Sequence, residues 1–286
     1  MKFTILIDNK TERADCRAEW GLAILIESQG EKILFDTGAS AMFAENAKAR
    51  GIDLADVDAL VISHGHFDHT GGVEAFAAQN AHAPIYLHEE ALYVTYGQTH
   101  GVMDDYNCGV LWDDDLRERL RPRLRLTKGL RQISSRAWIA GNIPSMEDYP
   151  PTENFFRQLV SDPFIEPDPM NHEQCLIVEE DGRLHVFSGC RHKGVIPILT
   201  HVKQLFPDKK ISGLVAGMHL YALPKDQRSQ MCIRDRLCID GLNVGEGIDL
   251  SVDVNDIVVL KASDHVDDGG DFTDMAQKLV AQALTL

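Results

Sequence analysis

Short apolar runs broken by turn residues fill the first third of the chain. FTILIDN (3–9) reads as a strand, and GLAILIESQGEKILFDTG (21–38) as two strands folded back at Gln29-Gly30. SAMFAENAKARGI (40–52) has helical spacing and a glycine stop at Gly51. VDALVIS (57–63) is almost continuously apolar, which predicts a strand buried on both faces that delivers the chain into His64. GGVEAFAAQN (71–80) follows as a helix and APIYLHEEAL (83–92) as a strand.

The pattern weakens between Gly97 and Pro169. From Arg117 to Arg136 there are eight Lys or Arg and one Glu. Two readings stay open there: a solvated helix or hairpin face, or a basic lid that draws an anionic substrate to a site. NIPSMEDYPPTENFF (142–156) reads as an ordered loop beside a site or as a linker. Regular signals return with EQCLIVEEDGRLHVFSGC (173–190), a hairpin turning at Asp181-Gly182. VIPILTHVKQLF (195–206) has helical spacing, and ISGLVAGMHLY (211–221) is a buried strand that reaches His219. Strands alternating with helices, together with antiparallel hairpins, predict an α/β layered fold.

Composition narrows the function classes. The 286 residues are 44% hydrophobic and 25% charged, enough for one large globular domain or two small ones. A net charge of −16 argues against nucleic acid and against an anionic membrane surface as partners. A small anionic substrate stays compatible with it, because a metal centre overrides the overall field locally. MKFTILIDNK has too short an apolar run for a secretory signal, no apolar stretch reaches membrane-spanning length, and the six cysteines form no paired framework. The expected location is the cytoplasm.

The candidate chemistry sits in VISHGHFDHTGG (61–72). His64 and His66 are two apart beyond a buried strand, so in extended backbone their imidazoles share one side and can share one ion. Asp68 and His69 follow where Gly65, Gly71 and Gly72 let the chain turn, within reach of a second ion. Two-metal hydrolytic sites hold their ions about 3.5–4 Å apart. Nitrogen and carboxylate donors suit zinc, with manganese, nickel or iron as alternatives.

SHGHFDHTGG resembles the signature of the metallo-β-lactamase-fold superfamily, whose fold is an αββα four-layer sandwich with a metal site at one edge. The resemblance runs from about Met1 to Tyr221. ILFDTG is similar to an earlier element of that superfamily, which implies that Asp36 braces the ligand loop without binding metal; a plain strand-end turn residue is the other reading. FSGCRHKGVIPIL and LVAGMHL resemble one branch, the dihydropterin–ribofuranosylaminobenzene phosphate synthase type, many of whose members are metal-dependent hydrolases. The resemblance implies His64, His66 and His172 on one ion, and Asp68, His69, Cys190 and His219 on the other. Cys190 read alone is equally a small buried hydrophobe. His192 lies two residues past it, as a ligand in place of His172 or as the acid that protonates a leaving group. The implied activity is hydrolysis of a phosphate ester or similar anionic metabolite by metal-activated hydroxide, with Asp68 orienting it. A synthase of pterin-type cofactor biosynthesis and a non-catalytic metal scaffold are the alternatives.

The branch carries a further His-Cys-Thr-Gly motif that this chain lacks. In its place stands SQMCIRDRLCIDG (229–241). MCIRDR is the translation of ATG-TGT-ATA-AGA-GAC-AG, the end sequence of a transposase used in DNA library preparation. Residues 1–230 are therefore read as the domain and 231–286 as a chimeric fragment joined near Gln230. No functional weight falls on Cys232, Cys238 or His265.

Overall fold

Alternate residues of the early strands face two different cores, and this sets the layering. In the computed structural model, residues 1–11, 13–149, 151, 153–159 and 164–217 are described, with the backbone of 247–249 and 258–262. β1 (Lys2–Ile7), β2 (Ala23–Ser28) and β3 (Glu31–Phe35) form an antiparallel meander. Gln29 and Gly30 take φ of 48° and 88°, the left-handed pair that suits a two-residue hairpin between right-twisted strands. α1 (Met42–Ala49) ends at Gly51, whose φ of 67° turns the chain away. β4 (Ala59–Val61), α2 (Phe67–Thr70), α3 (Val73–Gln79) and β5 (Ile85–His88) continue the layer, with β3, β4 and β5 parallel.

The region with weak patterning then leaves the sheet. It forms β6 (Val94–Tyr96) and a small hairpin of β7 (Gln98–Thr99) and β8 (Val102–Met103). α4 (Asp114–Leu120), capped by the Asp113 carboxylate accepting from the Leu116 N–H at 2.8 Å, leads back to β9 (Leu124–Thr127) beside β5. Lys128 and Gly129 carry the chain across to the second sheet, which begins with β10 (Leu130–Gln132) and β11 (Ala137–Ala140). β12 (Phe156–Gln158) and β13 (Ile165–Pro167) join β6 in a separate three-stranded sheet. β14 (Cys175–Glu180) and β15 (Arg183–Ser188) form the hairpin read from the sequence, and α5 (Val195–Leu205) returns the chain to β16 (Lys210–Gly217), parallel to β15.

The two large sheets run β17-β1-β2-β3-β4-β5-β9 and β10-β11-β14-β15-β16-β18, where β17 is Gly247–Asp249 and β18 is Val258–Ala262. Ile24, Ile26, Ile33 and Phe35 from one sheet meet Ile139, Leu176, Val178 and Phe187 from the other in the central core. The alternate residues Leu25, Leu34 and Leu60 pack outward against Phe43 of α1, Phe76 of α3 and Leu116 of α4. Ile177, Val186 and Leu214 pack against Ile198, Leu199 and Val202 of α5. The order is helix, sheet, sheet, helix: the αββα sandwich. Strands buried on both faces explain why VDALVIS and ISGLVAG read as continuous apolar runs.

The arginine-rich stretch is a solvated face. Arg119 pairs with Glu74 at 2.5 Å, Lys128 with Glu89 at 2.6 Å, and Arg125 and Arg131 sit exposed on the edge strands. β17 pairs antiparallel with β1, and β18 parallel with β16, so two stretches beyond residue 230 extend the sheets. The boundary read at Gln230, the MCIRDR segment, Cys232, Cys238 and His265 lie outside the described residues. Among the described residues no helix is long and apolar enough to cross a membrane.

Candidate metal centre

β3 and β4 end side by side, and their last residues build the floor of the site. Asp36 follows β3 with φ of 60° and is wholly buried. One carboxylate oxygen accepts the Ser63 N–H at 2.7 Å; the other accepts the Ser63 hydroxyl and His69 Nδ1, each at 2.7 Å. With its hydrogen given to Asp36, the Ser63 hydroxyl accepts from His64 Nδ1 at 2.8 Å. These contacts put a proton on Nδ1 of both His64 and His69 and turn both Nε2 atoms inward.

The glycines of the loop serve a purpose different from the one read in the sequence. Gly65 and Gly71 lie outside the left-handed region, so they are not there to let the chain turn. A Cβ on Gly71 would lie 2.1 Å from the Ala39 carbonyl oxygen, and one on Gly65 would lie 2.2 Å from that of Ala91. They allow backbone to pass against backbone.

A second segment, His172-Glu173-Gln174, locks the loop from the other sheet. Gln174 donates to the Ile62 carbonyl at 2.7 Å and accepts from Thr127 at 2.6 Å. Buried Glu173 accepts the N–H groups of His192 and Lys193 at 2.6 and 2.7 Å, clamping the turn after β15. Sequence reasoning missed both; the available signal was a pair of polar residues heading an otherwise apolar strand. It also missed Asp168 and Glu153. His172 Nδ1 accepts the Gly65 N–H at 3.0 Å and its Nε2 faces Asp168 at 3.3 Å, so both ring nitrogens are engaged. His172 thus stands within the cluster, its ring centroid 5.7 Å from that of His66, but turned to brace the loop.

His192 takes the inward place. Its Nδ1 faces the Glu153 carboxylate at 3.1 Å and its Nε2 lies 3.3 Å from His64 Nε2. His66 Nδ1 is 3.1 Å from the same His64 nitrogen. On the far side, His69 Nε2 is 3.0 Å from Cys190 Sγ and 3.5 Å from Asp68. Among the described residues two groups of potential ligands result, His64–Cys190–His192 and Asp68–His69–Cys190, all buried. His219 lies outside the described residues.

The donor set fits metal ions. Two unprotonated imidazole nitrogens 3.3 Å apart repel unless a cation or proton lies between them. Tetrahedral zinc with Zn–N of about 2.0–2.1 Å spaces its nitrogen ligands by about 3.3 Å. His66 Nε2 is buried with no hydrogen-bond partner among the described residues, a further donor that suits an ion. Burial, then the neighbouring histidines, hold His64 and His66 well below the ordinary imidazole pKa, so they stay neutral and able to ligate. Burial also acts to lower His69, but Cys190, Asp68 and Asp36 outweigh it and raise that group well above its usual value.

Residues 21–130 match the metallo-beta-lactamase superfamily. The crystal structure of Tm1679, a metal-dependent hydrolase of the beta-lactamase superfamily, superposes with a TM-score of 0.70 at 24% identity, over 88% of this chain and 100% of that one. The chain carries the metallo-β-lactamase fold. It is 26% identical over 216 residues to the 7,8-dihydropterin-6-methyl-4-(beta-D-ribofuranosyl)-aminobenzene-5'-phosphate synthase of Methanocaldococcus jannaschii, covering 71% of each chain. It is 27% identical over 220 residues to an uncharacterized protein of the same organism, covering 76% of this chain and 78% of that one. The resemblance to the synthase-type branch is found by these comparisons as well.

In this metallo-β-lactamase fold a cavity of about 560 Å³ opens onto the cluster at His66 and Asp68. Its walls are aromatic, with Trp20, Phe67, Tyr106 and Phe155, and its other charged side chains are acidic, Asp104 and Glu153. None of the eight cations between Arg117 and Arg136 lines it.

Proposed function

We propose that the protein is a metal-dependent hydrolase with a dinuclear centre, acting on a small substrate through an anionic group such as a phosphate ester. The observation that carries this reading is the convergence of buried histidines, Cys190 and Asp68 in two donor groups at the mouth of a cavity. Imidazole, thiolate and carboxylate together suit zinc. Two divalent ions at this place would supply Lewis acidity and a water-derived nucleophile at neutral pH.

The protein's own residues would do the rest. Asp36 and Ser63 hold His69 and His64 in the tautomers that ligate. His192 acts as a ligand, not as the acid for a leaving group, because its Nε2 faces His64 and its Nδ1 is held by Glu153. Asp68 borders the cavity and orients the attacking water by accepting its hydrogen bond. With no lysine or arginine among the described lining residues, the positive charge for an anionic group would come from the metal centre, against the two anionic donors Cys190 and Asp68. The rest of the substrate then lies along the aromatic walls.

Metal analysis and hydrolysis of a panel of phosphate esters test the reading. His66→Ala should lose metal and activity together, and full retention of both would refute it. The relative named as a 5'-phosphate synthase supports a second reading, a transferase working on a pterin and a phosphorylated ribosyl compound. Pterin-dependent product without net hydrolysis would favour it.

A further inference from the structure

The cavity at the cluster is larger than a reacting phosphate requires. Its volume of about 560 Å³ falls among sites that enclose a whole small molecule, about 300–1,000 Å³. Phe155 lies at the inner end, its ring 4.5 Å from that of His66 and 4.9 Å from that of His192. Tyr106, 58% exposed, and Trp20, 36% exposed, stand at the mouth. Asp104 lines the same cavity from the segment after β8. We infer that this outer part recognises an organic cation, so that the substrate is a phosphate ester whose alcohol carries a substituted ammonium group. The inference rests on the hydrolase reading above and adds the class of the leaving alcohol.

Three observations point to positive charge at this end. First, aromatic faces attract ammonium groups held within about 6 Å of the ring centre, and four aromatic side chains line this cavity. Second, the Asp104 carboxylate is held inward beside one of them. The Asp104 N–H donates to the Gly97 carbonyl at 3.0 Å, and a Cβ on Gly97 would lie 2.6 Å from Asp104 Oδ2, so the glycine leaves the room that the carboxylate occupies. Burial and then Asp104 push the Tyr106 hydroxyl above its ordinary pKa, as expected of a carboxylate next to the phenol. Third, little in the lining offsets that charge. No lysine or arginine is among the described lining residues, and their two histidines are His100 and His66, the latter kept neutral by burial. Glu153 already faces His192 Nδ1, which leaves Asp104 as the counter-charge for a ligand. A substrate with both charges orients itself: the metal centre attracts phosphate and repels ammonium, while the carboxylate and the rings do the reverse.

The test compares two esters of one shape on the metal-loaded full chain: phosphocholine, and the dimethylbutyl phosphate in which carbon replaces the charged nitrogen. In both, water adds to phosphorus, the ester P–O bond breaks, and the alcohol leaves with a proton from that water. The charged ester should be favoured in kcat/KM by about tenfold or more. Tyr106→Ala and Asp104→Asn should each reduce that preference at least about threefold, while Tyr106→Phe, which keeps the ring, retains it. Equal kcat/KM for the two esters, or a preference that survives both substitutions, overturns the inference. Titration calorimetry on the same protein reads recognition without turnover, and phosphocholine should bind about tenfold tighter than its isostere. If no phosphate ester is hydrolysed, the hydrolase reading fails, and the calorimetric ratio still decides the cation site, since equal affinities overturn it. A neutral pterin that binds more tightly than phosphocholine also overturns it and favours the synthase reading.

Discussion

Asp36→Asn isolates the brace beneath the metal centre, because asparagine keeps the shape and tolerates the φ of 60°. The carboxylate takes three short hydrogen bonds, from the Ser63 N–H, the Ser63 hydroxyl and His69 Nδ1. An amide has one acceptor oxygen and one donor NH₂. With the oxygen on the Ser63 N–H, the NH₂ faces two groups that had donated to it. The hydroxyl can rotate and accept, but His69 must move its proton to Nε2, which then points N–H at Cys190. Two charge-assisted bonds are lost, each worth about 1.5–3 kcal/mol, so the variant should lose about 3 kcal/mol or more of stability. The wrong tautomer should cost about ten- to a hundredfold in metal affinity. Urea unfolding of chelator-treated protein reads the first quantity, and competition with a fluorescent chelator reads the second. A variant within about 0.5 kcal/mol of wild type, the size of an ordinary surface substitution, and with unchanged metal affinity would refute the tautomer argument.

Three further outcomes are expected. His172→Gln should retain two ions while His192→Ala loses at least one, read by metal analysis after gel filtration; the reverse result would return His172 to the ligand set. Gly71→Ala should destabilise by about 3 kcal/mol or more, since its methyl group would press on the Ala39 backbone and overpacking already costs about 1–3 kcal/mol where side chains can adjust. An unchanged midpoint in a denaturant titration would show that the loop is softer than its contacts imply. Burial and then Asp68 push the Cys108 thiol up to about 12, so it stays protonated and poorly nucleophilic at pH 8 although it lines the cavity. Iodoacetamide should modify it far more slowly in folded than in unfolded protein, as followed by peptide mass mapping, and equal rates would contradict this.

Much of the architecture was legible along the chain because its signals are local. The apolar run of AILIES, ending at Gln29-Gly30 and followed by EKILF, specifies a hairpin whatever lies above or below it. A run such as ALV is apolar throughout because both its faces are covered, and that too can be read without knowing by what. The stretch from Gly97 onward was opaque for the opposite reason: its first strands are two to four residues long, and β9 and β12 take their places from β5 and β6, far away in sequence.

The site divides the same way. His64, His66, Asp68 and His69 share one turn of chain, so their spacing alone announces shared chemistry. Which histidine after position 170 turns inward is a tertiary matter. His172 is held by the amide of Gly65, 107 residues earlier, and by Asp168, whereas His192 is aimed by Glu153 and by a turn that Glu173 clamps. The sequence by itself determined the alternation of short apolar strands and helices that makes a layered α/β fold, since each signal depends only on residues of its own element; the four-layer order was implied by the resemblance that SHGHFDHTGG carries. Which histidine faces the cluster was decided by the folded structure, because a ring nitrogen turns inward only where no distant hydrogen-bond partner holds it elsewhere.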